Sequence, residues 1–121
     1  NLNQAVTWYR QAAKQGHAAA QHVLASLYHH GEGVEADVVE AAKWCQLAAE
    51  QEVPEAQLVL ADCYLRGRGV PEDFVLAYAW FNRASSHGLE IAEKNKRHTA
   101  RCMTPEQIAQ AQQISRTHLA A

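Results

Sequence analysis

No segment of this chain is apolar over anything near the roughly 18 residues that a membrane-spanning helix needs, and no charged-then-apolar stretch opens it as a signal peptide would. Charge of neither sign dominates. The formal net charge is −2, which gives no electrostatic reason to expect nucleic acid or an anionic membrane as a partner. Cysteines number three, and an odd count without close spacing argues against both a disulfide framework and a zinc site. Catalytic motifs are missing too. None of Ser26, Ser85, Ser86 and Ser115 stands in a nucleophile elbow or a Ser-x-x-Lys context. The glycine pairs Gly31/Gly33 and Gly67/Gly69 are followed by no Gly-Lys-Ser/Thr, so they do not form a phosphate-cradling loop.

What is present is a period. Trp8, Trp44 and Trp80 stand 36 residues apart, each inside the pattern A-x-x-W-[YCF]-x-x-A-[AS]. Between them Ala20-Gln21-x-x-Leu24-Ala25-x-x-Tyr28-x-x-Gly31-x-Gly33-Val34-x-x-Asp37 returns as Ala56-Gln57-x-x-Leu60-Ala61-x-x-Tyr64-x-x-Gly67-x-Gly69-Val70-x-x-Asp73. A period of about 20 to 50 residues means a stacked array, in which each unit buries its apolar face only against its neighbours. Function in such an array resides in a surface more readily than in a cleft. The 121 residues make one domain, residues 1–121, because a chain of that length supports a single continuous core.

Each unit reads as two helices. Ala20, Val23, Leu24, Leu27 and Tyr28 form one stripe at helical spacing, matched by Ala56, Val59, Leu60, Cys63 and Tyr64. In the second helix the stripe is Ala41, Trp44, Cys45, Ala48 and Ala49, which makes Cys45 and Cys63 buried thiols and Trp44, in the middle unit, the central packing residue. Gly31 and Gly67 suit left-handed C-terminal caps. Asp37 and Asp73 suit the N-caps that follow, Asp37 with Glu40 as a capping box. The second helix stops at Gly16 and Gly88 in the outer units, but Glu52 replaces that glycine in the middle one, so its turn is expected to differ or to be strained.

The division that follows is 1–16, the second helix of a truncated unit; two repeats at 17–52 and 53–88; and 89–121, a degenerate helix and a capping helix. The last of these opens with Thr104-Pro105-Glu106-Gln107 as a capping box and continues with Ile108, Ala111, Ile114 and Leu119. Because the chain starts at Asn1 and enters the pattern halfway through a unit, it is expected to be a piece of a longer precursor. Its helix with Ala5, Trp8, Tyr9 and Ala12 is expected to keep an uncovered apolar side that favours self-association.

On these residues the chain closely resembles the Sel-one-like repeats, relatives of the tetratricopeptide repeats, over about residues 5–103. It departs from them at Ala25 and Ala61, where glycine is usual, and at Glu52. The resemblance implies an all-α solenoid: antiparallel helix pairs in a right-handed superhelix whose first helices line a concave face. It also implies an adaptor that binds another protein or peptide, with no cofactor and no general catalytic motif. A bacterial cytoplasm or periplasm suits such a module, and the compartment stays open between them. A cysteine-rich branch of the same family is associated with β-lactam binding and hydrolysis, which makes an enzyme the alternative. Its paired cysteines would fall at Ala13 and Gln21 and at Ala49 and Gln57, so membership in that branch is not expected.

First-helix residues off the core stripe form a second strip, the expected partner-binding surface. In the first complete pair they are His22, Ser26, His29 and His30; 36 residues on they are Leu58, Asp62, Leu65 and Arg66; after another 36 they are Lys94, His98, Arg101 and Cys102. Leu58 and Leu65 would anchor a ligand, and the polar side chains would hold an extended peptide or a helix around them. A metal is not expected from these histidines. His22 and His29 are about 10 Å apart along a helix axis, and His29 and His30 diverge by about 100°.

Overall fold

The computed structural model describes residues 2–117, and Leu119, assigned above to the last helix, lies outside them. Seven helices and no strand occur among the described residues: α1 (Leu2–Lys14), α2 (Ala18–His30), α3 (Val38–Glu50), α4 (Pro54–Arg66), α5 (Phe74–Ser85), α6 (Glu90–Ala100) and α7 (Pro105–Thr117). Consecutive helices pack on one another from α1 to α6, and α7 returns to pack on α5. The result is an all-α helical-repeat solenoid.

Local chemistry sets most helix ends. Gly31 and Gly67 take left-handed φ values of 69° and 64° and donate their amides to the Leu27 and Cys63 carbonyls, ending α2 and α4. Asp37 accepts from the amides of Val39 and Glu40, both at 3.1 Å, and Asp73 from that of Leu76 at 3.0 Å. The capping box expected at Asp37 forms only in this half. The Asp37 amide is already taken by the Tyr28 carbonyl, and the Glu40 carboxylate lies instead 4.0 Å from the Lys43 ammonium. The box at Thr104 is complete, with Gln107 Oε1 accepting from the Thr104 amide and Thr104 Oγ1 from the Gln107 amide.

Packing corrects the expected core in two respects. Trp44 touches both core clusters, one built on Val6, Ala13, Ala20 and Leu24 and the other on Leu60, Ala77, Trp80 and Phe81, but it is itself only half-buried. The same repeat position is 60% exposed at Trp8 and 3% exposed at Trp80. The three differ because α5 is packed by α4, α6 and α7, whereas α1 packs chiefly on α2. Secondly, Val23 is half-buried and Val59 exposed, while Gln21 and Gln57 are buried. Each glutamine Nε2 donates to a carbonyl near the end of the preceding helix, Gln21 to Ala13 at 3.1 Å and Gln57 to Ala49 at 3.0 Å. A buried amide is tolerated only with such partners, and securing them turns the buried face of α2 and α4 toward the glutamines and away from the valines.

Glu52 adopts the left-handed conformation, φ 65°, the single non-glycine residue among those described to do so. Its carboxylate is held from the next unit by Arg83 at 2.9 Å and His87 at 3.0 Å, and by Gln57 at 3.3 Å. Partial burial pushes its carboxyl up, but the hydrogen bonds from Arg83, His87 and Gln57 outweigh this and hold it below the usual carboxylate value. Its folded pKa is therefore depressed. The linked stability is present above the unfolded value of about 4.3 and is lost as pH falls through the lower folded value.

The strain and the clamp at Glu52 separate by mutation. Glu52→Gly removes a left-handed penalty of about 1–2 kcal/mol together with partly exposed ion pairs of about 0–1 kcal/mol each, so its melting temperature should stay close to that of the parent. Glu52→Ala keeps the penalty and loses the clamp, and should melt several degrees lower. Equal melting of the two variants would remove the left-handed strain from the account.

Candidate partner-binding groove

Between the first helices of successive pairs lies a groove of about 530 Å³. The wall from α2 carries His22, Ser26, His29 and His30, and that from α4 carries Glu55, Leu58, Val59 and Asp62. Ala25 and Ala41 with Cys45 and Cys63 form its floor, and Asn95 of α6 closes one side. The groove exists because the stacked faces use small side chains, so the helices approach closely at the floor while longer side chains stand up as walls.

Six of the expected strip residues come together here: His22, Ser26, His29, His30, Leu58 and Asp62. Leu65 does not line the groove and packs half-buried against the main core cluster, as Leu58 also does from its wall position. Both leucines therefore support the fold, contrary to the expectation that they lie off the core. Arg66 is exposed, its Nε donating to Asp62 Oδ1 at 2.9 Å. Lys94, His98, Arg101 and Cys102 are exposed outside the groove. The charged Arg97 stands in α6 where Ala25 and Ala61 are buried, so that side of α6 keeps to water. Asn95 is the α6 side chain that reaches the groove, and sequence reasoning missed it.

Titratable groups gather in the groove, with His22, His29 and His30 on one wall and Glu55 and Asp62 on the other. Burial, reinforced by Arg68 and His30 and opposed by Asp62, holds the His29 imidazole below its usual 6.5. His30 Nδ1 lies 2.9 Å from the Ser26 carbonyl. Buried His22 Nδ1 has no hydrogen-bond partner among the described residues. The floor thiols are free and inert: Cys45 donates to the Ala56 carbonyl at 3.1 Å and is pushed by burial up to about 12, and Cys63 is also raised, chiefly by burial. Thiolates, not thiols, are the nucleophiles and metal ligands. Among the described residues no three His, Cys, Asp or Glu side chains gather into a metal-holding group, and no helix is long and apolar enough to cross a membrane.

The Sel1 repeat model matches residues 1–17, 18–53 and 54–89, and the chain belongs to the Sel1 repeat family. Proteins of this family are generally protein–protein interaction modules, and the scaffold is typically non-catalytic. Among solved structures, a protective antigen present in uropathogenic Escherichia coli strains and displaying an SLR fold is similar, with a TM-score of 0.91 and 37% identity over 98% of this chain. A Sel1 repeat protein from Oxalobacter formigenes is similar with a TM-score of 0.77 and 35% identity over 79% of this chain. The chain spans 26% of the first of these proteins and 40% of the second. No curated protein matches it.

The positions where the cysteine-rich branch would pair its cysteines hold Ala13 with Gln21 and Ala49 with Gln57. The same residue pairs are joined here by the glutamine-to-carbonyl hydrogen bonds described above.

Proposed function

We propose that this module is a non-catalytic adaptor that holds an extended segment or a helix of a partner protein in the groove between α2, α4 and α6. The observation that carries this reading is the groove itself, in which a floor of small apolar side chains is flanked by hydrogen-bonding walls. An apolar side chain of the partner would fill the floor beside Leu58, while His22, Ser26, His29 and Asp62 bond to its polar groups. That division, apolar anchor within and polar selection around it, is how interaction surfaces combine affinity with specificity. Lys94, His98, Arg101, Leu65 and Arg66 lie beyond the groove, and Lys94, His98, Arg101 and Arg66 would meet only the flanks of a longer ligand.

Because Leu58 also supports the core, the test uses wall positions that face outward. Peptides selected from a displayed library against the parent domain should lose at least tenfold in affinity for Val59→Trp and Ser26→Trp, which fill the groove, with melting unchanged. Selected peptides that bind these variants as well as the parent would remove the groove from the proposal. Nitrocefin turnover above a denatured control would contradict the non-catalytic part.

We further propose that α1, whose Leu2 and Trp8 are exposed, meets a second copy of this chain. Large apolar side chains left in water in this way can be covered by association. Sedimentation equilibrium should show concentration-dependent dimers that Trp8→Glu abolishes, and a monomer at millimolar concentration would sink this idea.

A further inference from the structure

The second helix of each pair has an outer face, and in this chain that face meets three different fates. On α5 it is occupied. There α7 lies alongside, Asn82 Nδ2 donates to Ser115 Oγ at 3.0 Å, and Ala79 and Ala111 are fully buried. On α1 the corresponding Asn3, Thr7, Arg10 and Gln11 are all polar. On α3 the corresponding residues are Val39, Lys43, Gln46 and Leu47, and with Gly69 and Val70 they line a groove of about 410 Å³. Val39 is 51% and Leu47 42% exposed. The α1 residues show that repeat geometry does not demand apolar side chains here, and α5, with Val75 and Ala79 at the places of Val39 and Lys43, shows that this face can seat a helix.

We propose that the outer face of α3 is a docking site for one amphipathic helix of a partner protein, seated as α7 is seated on α5 and carrying an acidic side chain opposite Lys43. The acid follows from charge complementarity. Lys43 stands where Ala79 lets α7 approach, and its exposed ammonium lies 4.0 Å from Glu40. A docked helix without a carboxylate would strip water from this ammonium and leave it poorly compensated, which is costly. A carboxylate turns the same contact into a selective one. A helix of about 13 residues is about 20 Å long, and an interface of that size is of the weak, transient class. This site is independent of the groove between the first helices.

The test uses a labelled peptide of residues 104–116 carrying Ala111→Glu, stapled between positions 106 and 110 so that it is helical, and fluorescence anisotropy with the whole domain. Saturable binding is expected, weakened at least tenfold by Lys43→Glu and by Leu47→Glu, whose outward side chains leave melting unchanged. A peptide carrying Ala111→Lys should recover binding to Lys43→Glu. Asn82→Ala, which loosens the seat of α7 itself, should have no effect. The proposal is overturned if binding does not saturate below millimolar peptide, or if it ignores both α3 variants. It is equally overturned if Asn82→Ala strengthens binding, which would mean that the peptide displaces α7, or if Val59→Trp abolishes it.

Discussion

Trp80→Ala is expected to destabilise the domain by about 3–5 kcal/mol, the usual range for truncating a buried aromatic residue, and so to consume a large part of a total near 5–15 kcal/mol. The side chain is 3% exposed and belongs to the main core cluster with Leu60, Ala77 and Phe81. Trp44→Ala, at a half-buried residue that joins the two clusters, should cost less. Trp8→Ala should stay within about 0.5 kcal/mol, as surface changes do, when measured at a concentration too low for association. Denaturant unfolding of the three variants would check the order. Equal losses at all three positions would contradict the graded burial along the stack.

Gly69→Ala comes next in size. At φ 79° any L side chain is strained, and a Cβ there would press on the Val38 carbonyl, 2.9 Å from its carbon and 3.1 Å from Ala42 Cβ. Neither a helix backbone nor a buried alanine can yield cheaply, so the loop must lift from α3. Gly88 offers the control. Its φ is 90°, but nothing lies within 4 Å of the same added atom, so Gly88→Ala should cost only the backbone strain of about 1–2 kcal/mol. Gly69→Ala should exceed it by at least about 1 kcal/mol, the scale of overpacking into fixed neighbours. Chemical denaturation of both would decide, and equal losses would mean that the loop gives way freely.

The helices, their order and most of their ends were legible in the sequence because their signals are local. A 36-residue recurrence, glycine at positions needing positive φ, and aspartate or threonine at N-caps act within a turn or two of the residue concerned. Burial along the stack was not legible in the same way. Trp8, Trp44 and Trp80 sit in near-identical local patterns, and what separates them is how many helices pack around each. Gln21 and Gln57 had a visible signal, a polar residue recurring in register beside the apolar stripe, but their acceptors lie on another helix. The groove was half legible for the same reason. Repeat arithmetic brought the four α2 residues together with Leu58 and Asp62 of α4 but not with Leu65 and Arg66, and α6 does not obey the register, because Arg97 replaces the small residue on which the register depends. The strain at Glu52 was foreseeable from a missing glycine, but its clamp was not, since Arg83 is 31 residues away.

The glutamine links have a consequence for how the domain comes apart. Gln21 and Gln57 each reach back across a boundary between matched repeats to a helix end in the preceding one, and Arg83 and His87 reach back to Glu52 in the same sense. The Ala13 and Ala49 carbonyls already accept from the Gly16 and Glu52 amides of their own repeats, and the glutamines add the bond that crosses the boundary. Opening one repeat strands a buried amide on one side of the break and uncovers a carbonyl on the other, so the smallest cooperative unit is longer than the unit written in the sequence. Hydrogen exchange at the ends of α1 and α3 should therefore report opening of the repeat that follows each of them, and the array should lose structure in overlapping pairs.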